Sequence, residues 1–227
     1  MRNPGTAAAC CLLLAAMFSS RQAAGADQAG DVASAVQRPE LREELLERAK
    51  RDQAVRQKTL DWMKENHVSF DALPKDYLQQ PVVQEETRVD RENREWLQTI
   101  VERHGWPGRS LVGVDGAHAA WLLAQHADHE FQRVCLRRMK NSPAGEVAQI
   151  DLAYLTDRVL LAEGKPQIYG TQIEIRDGRW QPSKLEDPQN LDLRRKAIGL
   201  PPIAEYLQDA EEAYGSPGKA LGPSGKP

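Results

Sequence analysis

The chain contains 227 residues, of which 41% are hydrophobic and 28% are charged, and this composition is sufficient for one ordinary globular domain with its own core. The formal net charge is -3, and acidic and basic residues are interspersed along the whole length. This balance excludes the concentrated basic field that a nucleic-acid-binding surface requires, so we predict no nucleic-acid partner.

The first 26 residues have the composition of a secretory signal peptide. Arg2 provides a positive start, residues 7–18 form an apolar run, and Ala24-Gly25-Ala26 is a small-residue cleavage pattern. A helix that spans a bilayer needs about 20 apolar residues, and neither this run nor any later window reaches that length. We therefore predict cleavage near Ala26, a mature chain without a membrane span, and a periplasmic or extracellular location.

Cysteine usage indicates that the core, and not a disulfide, must stabilise the mature chain. Cleavage near Ala26 removes Cys10 and Cys11 and leaves Cys135, so no intramolecular disulfide can form. Cys135 lies within a hydrophobic helical pattern, which favours a small buried side chain over a nucleophile.

The first part of the chain predicts two helices. Residues 27–38 show no periodic order and are predicted to form a flexible leader. A helix begins at Pro39, where acidic residues suit the positive end of the helix dipole, and apolar residues recur at helical spacing as far as Met63. A second helix is predicted from about Val83 to His104, and residues 67–82 form a connection with one short helical turn.

The middle of the chain is more apolar. Residues 117–127 are apolar on nearly all sides, as is typical of a central buried helix. A break is predicted near Asp128, after which residues 131–139 continue as a helix. Residues 150–161 then form another amphipathic helix.

Beyond Gly164 the pattern changes from helical to alternating. Tyr169, Thr171, Ile173 and Ile175 are predicted to share one strand face, and Asp177-Gly178 is a dipeptide favoured in two-residue hairpin turns. One β-hairpin is therefore predicted at about residues 167–182, with Trp180 opposite Ile175.

Two short helices and a polar tail complete the chain. The first is predicted at residues 191–198, and the second opens at Pro201-Pro202 and ends near Ala213. The tail at residues 214–227 has too little apolar content to become ordered. The predicted fold class is mainly α: a single helical domain over residues 39–213 with one small β-hairpin.

Eight separated motifs occur in order along this predicted domain. They are Asp52-Gln53 with Arg56, Asp90 with Asn93, His104-Gly105-Trp106-Pro107, Ala120-Trp121-Leu122-Leu123, Gln125-His126-Ala127-Asp128, Phe131-Gln132, Leu155-Thr156-Asp157-Arg158 and Tyr169-Gly170-Thr171-Gln172. In these motifs the chain resembles a bacterial family of domains of unknown function, over about residues 41–207. The resemblance implies membership of such a family and no particular activity.

Polar side chains occupy positions at which the helical pattern predicts core contacts. They are Asp52, Gln53 and Arg56 in the first helix, Asp90, Asn93 and His104 in the second, Gln125 and His126 in the third, and Asp157 in the helix at residues 150–161. Burial of such a group without a partner costs about 1–3 kcal/mol, so we expect these residues to meet one another. They form either a pocket for a small molecule or peptide, or a buried network in a structural or protein-interaction domain.

His126 is the main candidate for a general acid or base, because imidazole titrates near neutral pH, and Asp157 is predicted to orient it. His104 is the second candidate, with the alternative that it caps free carbonyls in the last helical turn. The predicted ligand-binding residues are Asp52, Gln53, Arg56, Asp90, Asn93, Gln125, Arg158, Tyr169 and Gln172. The enzymatic interpretation is a hydrolase or transferase, and no cofactor is predicted.

No metal site is predicted. His126, Asp128 and His129 lie close in sequence, but on one helix residue 128 points away from the face that residues 126 and 129 share. Their spacing also differs from the His-x-x-x-His pattern of zinc proteases.

The geometry of the polar residues distinguishes the two interpretations. We predict that at least three of Asp52, Asn93, His126 and Asp157 lie within one hydrogen-bonded neighbourhood. Convergence of His126, His104, Asp157 and Gln172 on an open cleft favours the pocket. Dispersed or sealed positions favour the structural domain.

Overall fold

The computed structural model describes residues 36–217. The predicted signal peptide, most of the predicted leader and the end of the predicted tail lie outside the described residues. Seven α-helices and one two-stranded antiparallel sheet make up the described part of the chain. The mainly α fold with a single hairpin is thus confirmed.

The elements follow the chain in simple order. The helices are α1 (Pro39–Glu65), α2 (Pro81–His104), α3 (Arg109–Gln125), α4 (His129–Lys140), α5 (Gln149–Ala162), α6 (Leu191–Ala197) and α7 (Ile203–Tyr214). The strands are β1 (Ile173–Arg176) and β2 (Arg179–Pro182), and short 3₁₀ turns occur at Tyr77–Gln79 and Pro188–Asn190. Helix α1 packs along both α2 and α3.

Helix boundaries follow local chemistry. Pro39 and Pro81 stand at the starts of α1 and α2, where a fixed φ suits the helix and no N–H is needed. Asp128 caps α4 by accepting a hydrogen bond from the backbone N–H of Phe131. Helix α3 begins at Arg109, earlier than predicted. Its first turn is separated from the main helix by a kink at Gly113, whose φ of 78° is not helical.

The hairpin has the predicted turn but shorter strands. Trp180 pairs with Ile175, and Asp177 and Gly178 form the turn with φ values of 53° and 68°. Strand β1 begins only at Ile173. The prediction that Tyr169 and Thr171 continue this strand is wrong, because their N–H groups bond to a carboxylate of α5 and not to a strand.

The apolar core consists of two clusters. The first lies among α2, α3, α4 and α5, and the second lies among the hairpin, α7 and the segment between α1 and α2. Helix α1 contributes Leu45 to the first cluster and Met63 to the second. Between these two positions it presents Asp52, Arg56 and Thr59, all buried. A polar layer therefore separates the two apolar clusters along α1.

Helix α2 has the same arrangement. Val83 belongs to the second cluster and Leu97 to the first, and the buried polar residues Glu86 and Asn93 lie between them.

In the described part of the chain, none of the helices combines the length and the apolar composition that a bilayer crossing demands.

Candidate functional site

Five of the predicted site residues meet where α1, α2 and the end of α3 pack together. Asp52 and Arg56 lie one turn apart on α1, and Gln53 follows Asp52. Asp90 comes from α2, and His126 is the residue that caps the C-terminus of α3. We call these five residues the charged cluster.

His126 and Asp52 form the centre of the charged cluster. His126 Nδ1 lies 3.0 Å from Asp52 Oδ1, and the imidazole is 1% exposed. Burial, together with the charge of Arg56, lowers the pKa of His126, so the ring is neutral at pH 7. Burial alone would raise the pKa of Asp52, but His126, Arg56 and a hydrogen bond from Gln53 outweigh it and lower that pKa. A neutral ring that donates from Nδ1–H to an ionised carboxylate keeps a lone pair on Nε2.

Arg56 bridges the carboxylates of two helices. It donates to Asp52 Oδ1 at 3.2 Å and to Asp90 Oδ1 at 2.8 Å. Gln53 Nε2 donates to the other oxygen of Asp52 at 2.9 Å. The carboxylate of Asp90 is 15% exposed, and its burial raises its pKa even though Arg56 opposes the shift. Asp90 and the half-buried Gln53 are thus where the charged cluster reaches the surface.

Several buried nitrogen atoms in the polar layer have no hydrogen-bond partner within residues 36–217. They are His126 Nε2, Arg56 Nε and Asn93 Nδ2. An unpaired buried polar group costs about 1–3 kcal/mol, so such atoms are uncommon unless they serve a function. Such atoms also occur elsewhere within residues 36–217, for example Gln172 Oε1 and Arg195 Nη2. The layer is the strongest candidate site because it combines them with the His126–Asp52 pair.

Asn93 lies in the same layer but has a different partner. Its Oδ1 accepts a hydrogen bond of 3.4 Å from Arg48, whose guanidinium also lies over the ring of Trp96, 4.3 Å from the centroid. On the side of the charged cluster nearer the second apolar cluster, the polar layer continues with a 2.7 Å hydrogen bond from Thr59 to the buried Glu86.

Asp157 belongs to a second polar network, so its predicted pairing with His126 is wrong. Its carboxylate accepts hydrogen bonds from the N–H groups of Ile168, Tyr169 and Thr171 at 2.8–3.1 Å, and from the hydroxyl of Thr171 at 3.0 Å. Burial raises the pKa of this carboxyl, although these donors oppose the shift. Asp157 therefore fastens the loop before β1 to helix α5.

Tyr169 and Gln172 are part of this second network. The carbonyl of Tyr169 accepts a 2.8 Å hydrogen bond from the buried Arg195. The backbone of Gln172 exchanges two hydrogen bonds with the side chain of the buried Gln167. Gln172 is 1% exposed, so it offers no open surface for its predicted role in ligand binding.

The other predicted residues lie outside the charged cluster. His104 is in the last turn of α2, fourteen residues beyond Asp90, which corresponds to about 21 Å along a helix. Gln125 accepts a hydrogen bond from Arg158, so these two predicted residues join α3 to α5.

The expected convergence is therefore only partial. Hydrogen bonds join Asp52 to His126, whereas Asn93 bonds to Arg48 and Asp157 to a loop, so the prediction of three residues in one neighbourhood is not met. His104, Asp157 and Gln172 do not meet His126. The partners of Asp157 are backbone N–H groups of a loop, which helical phase cannot reveal.

A second histidine–carboxylate pair was missed by the sequence analysis. His118 Nδ1 lies 3.1 Å from Asp151 Oδ1, and the ring stacks on Trp121 at 4.8 Å between centroids. The side chain of His118 is 36% exposed. Burial disfavours its charged form, but the hydrogen bond and the charge of Asp151 outweigh this effect and raise its pKa. The sequence signal was a single polar residue, His118, within the apolar run at residues 117–124.

Asp52, Asp90 and His126 are also the residues that could hold a metal ion, since each offers a ligand atom within 4.8 Å of the others. The guanidinium of Arg56 already bonds both carboxylates. A divalent ion would have to displace it, so the arrangement favours a cluster balanced by arginine.

Cys135 is fully buried, and burial raises the pKa of its thiol to about 12.

Comparison with known proteins places the chain in a family. Residues 39–219 match the model of DUF6624, a family of unknown function. The chain belongs to the DUF6624 family. The charged cluster and the Asp157 network both lie within the matched region. No curated protein and no solved structure matches the chain.

Proposed function

We propose that this DUF6624 protein is a hydrolase whose acid–base centre is the charged cluster. His126 is the general base, and Asp52 orients it. The observation that supports this role is the 3.0 Å contact of Nδ1 with Asp52 together with the unpartnered Nε2 of the same ring. A carboxylate on one imidazole nitrogen and a free lone pair on the other is the arrangement that general-base catalysis uses.

The proposed reaction is the attack of water on a small-molecule or peptide substrate. His126 Nε2 takes a proton from the attacking water and later gives it to the leaving group. The unpartnered Nε–H of Arg56 and the amide N–H of Asn93 are the donors available to a negatively charged oxygen of the substrate. The substrate enters beside Asp90 and Gln53, the two residues through which the charged cluster meets solvent.

The test is a hydrolase screen with His126→Gln, Asp52→Asn and the control His118→Gln. Aryl esters, aryl phosphates and short peptides are the substrates. We expect the wild-type protein to hydrolyse one class and His126→Gln to lose about 10²–10⁴-fold in rate, the range of a general base. His118→Gln should retain activity, because His118 belongs to another pair. Equal rates for the wild-type protein and His126→Gln would refute the assignment.

A structural or protein-interaction domain is the second candidate. Two observations favour it: the burial of the His126 imidazole, and the separation of His104, Asp157 and Gln172 from His126. In that case the charged cluster fixes the packing of α1, α2 and α3 and has no substrate. The two candidates differ in their response to His126→Gln. A catalytic His126 leaves the melting temperature nearly unchanged, whereas a purely structural one gives a loss of several degrees.

We also propose that the protein is exported and has its mature N-terminus near Asp27. The positive start, apolar run and Ala-Gly-Ala pattern of the sequence support this proposal. Fractionation of the native cell followed by N-terminal sequencing tests it. Uncleaved protein in the cytoplasm would contradict export.

A further inference from the structure

A groove with a cavity volume of about 810 Å³ runs along the exposed side of helix α4. Its walls come from α2, α4, α5 and the segment at residues 165–168. We call it the α4 groove. A cavity of this size is larger than a single inorganic anion needs and is within the range of sites that hold extended ligands.

The α4 groove is positively charged, although the chain as a whole is acidic. Its six basic lining residues are Arg94, Arg133, Arg137, Arg138, Lys140 and Lys165. Its three acidic lining residues are Glu102, Glu130 and Glu163. The lining thus has an excess of three positive charges, whereas the formal net charge of the chain is -3.

Half of these basic side chains are already paired. Arg94 pairs with Asp128 at 2.9 Å, and Arg133 and Lys165 share Glu163 at 3.2 and 2.7 Å. The other three, Arg137, Arg138 and Lys140, are exposed and form no ion pair with any residue between 36 and 217.

The dipole of α4 explains only part of this charge. Basic residues are favoured in the last turn of a helix, and Arg137, Arg138 and Lys140 stand there. Arg94 and Lys165 come from other parts of the chain and line the same groove, so its basic residues are not confined to one helix end. The three lining cations that lack an ion pair within residues 36–217 all lie in the last turn of α4.

The floor of the α4 groove is apolar. Val134, Leu160 and Ile168 are half-buried and line it, and Phe131 lies beneath, 4% exposed. The guanidinium of Arg94 covers the ring of Phe131 at 5.6 Å from its centroid. A matching ligand must therefore offer aliphatic groups to the floor and negative charges to the walls.

We infer that the α4 groove binds an acidic peptide segment with interspersed aliphatic side chains. Carboxylates of the peptide pair with Arg137, Arg138 and Lys140, and its aliphatic side chains cover Val134 and Leu160. A nucleic acid fits less well, because three glutamates line the walls and the one aromatic ring of the lining is buried, so bases have no surface on which to stack.

The experiment measures the fluorescence anisotropy of a labelled peptide of alternating glutamate and leucine, titrated with the full chain at low and at moderate salt. We expect saturable binding that weakens with salt. The double variant Arg137→Glu/Arg138→Glu should weaken it by about ten-fold or more, since two attractions become repulsions. The matched control Lys75→Glu/Arg179→Glu has the same change of net charge at exposed positions outside the groove lining, and it should bind like the wild-type protein.

Several results would overturn the inference. The first three are absence of wild-type binding at low salt, an equal loss in both double variants, and tighter binding of a labelled single-stranded oligonucleotide than of the peptide. A labelled peptide of glutamate and serine tests the floor, and binding equal to that of the leucine peptide would also count against the proposed ligand. Circular dichroism of each variant establishes that it is folded.

Discussion

His126 and Asp52 are 74 residues apart in sequence, yet Nδ1 of one lies 3.0 Å from Oδ1 of the other, and both side chains are buried. This contact joins the middle of the first helix to the end of the third. Because Arg56 and Gln53 also bond to Asp52, one carboxylate supports three neighbouring side chains.

The first prediction concerns that carboxylate. Asp52→Ala leaves the buried Arg56 with Asp90 as its remaining carboxylate partner and removes the acceptor of His126. A buried charge left with no partner costs about 3–5 kcal/mol, so with Asp90 still present we expect a loss of about 2–3 kcal/mol. Urea unfolding measures this loss. The control is Asp115→Ala, which breaks the exposed pair with Arg42 and should cost at most about 1 kcal/mol. Similar losses in the two variants would show that Asp52 contributes no more to the free energy of unfolding than an exposed ion pair does.

The second prediction concerns pH. The folded-state pKa of His126 lies below its ordinary value, so the unfolded chain binds the proton first as the pH falls below about 6.5. The contribution of His126 to the free energy of unfolding should therefore fall between about pH 7 and pH 5. In His126→Gln this part of the decline should be absent. Parallel pH profiles for the two proteins would contradict the depressed pKa.

The third prediction is the opposite behaviour of His118, whose pKa is raised beside Asp151. Its contribution to stability is present below about pH 6.5 and is lost as the pH rises through the folded pKa. The raised pKa of Asp151 acts in the same direction at lower pH. In urea unfolding between about pH 6 and pH 8, the stability of the wild-type protein relative to His118→Gln should decrease as the pH rises. The idea fails if the variant and the wild-type protein lose the same stability over this range.

The fourth prediction assigns Asp157 to structure. Asp157→Ala removes the acceptor of four donor groups in the loop before β1, so we expect a loss of about 3 kcal/mol or more in urea unfolding. Hydrogen exchange of the amides of Ile168 and Thr171 should accelerate in the same variant. Thr156→Ala, on the neighbouring position of α5, removes one hydroxyl bond to the helix backbone and is the control. Unchanged exchange of the loop amides would contradict the anchoring role.

The helices were predictable because their signals are local. The apolar spacing from Leu41 to Met63 and the break near Asp128 are properties of short segments, and the structure has a helix at the first and a helix cap at the second. Pro81, predicted to lie in the connection, begins α2. The strand limits were less predictable. An alternating pattern at residues 169–175 resembles a strand, but Asp157 competes for the N–H groups of its first part.

The site was predictable only in outline. Helical phase places Asp52, Asp90 and His126 on core-facing positions, and these residues do meet. Phase gives no information on which of two carboxylates reaches an imidazole, so Asp157 was paired with His126 in place of Asp52. The α4 groove was not predicted, because its charges come from exposed positions of separate elements and have no pattern in sequence.

The contact between Arg48 and Trp96 supplies an optical reporter for the candidate site. The guanidinium of Arg48 lies over the indole and also donates a hydrogen bond to Asn93, so both contacts depend on the position of this one side chain. A compound that recruits Asn93 or Arg48 will shift that cation relative to the ring and change the fluorescence of Trp96. Screening by intrinsic emission, with Trp96→Phe as the blank, therefore needs neither a label nor a known reaction.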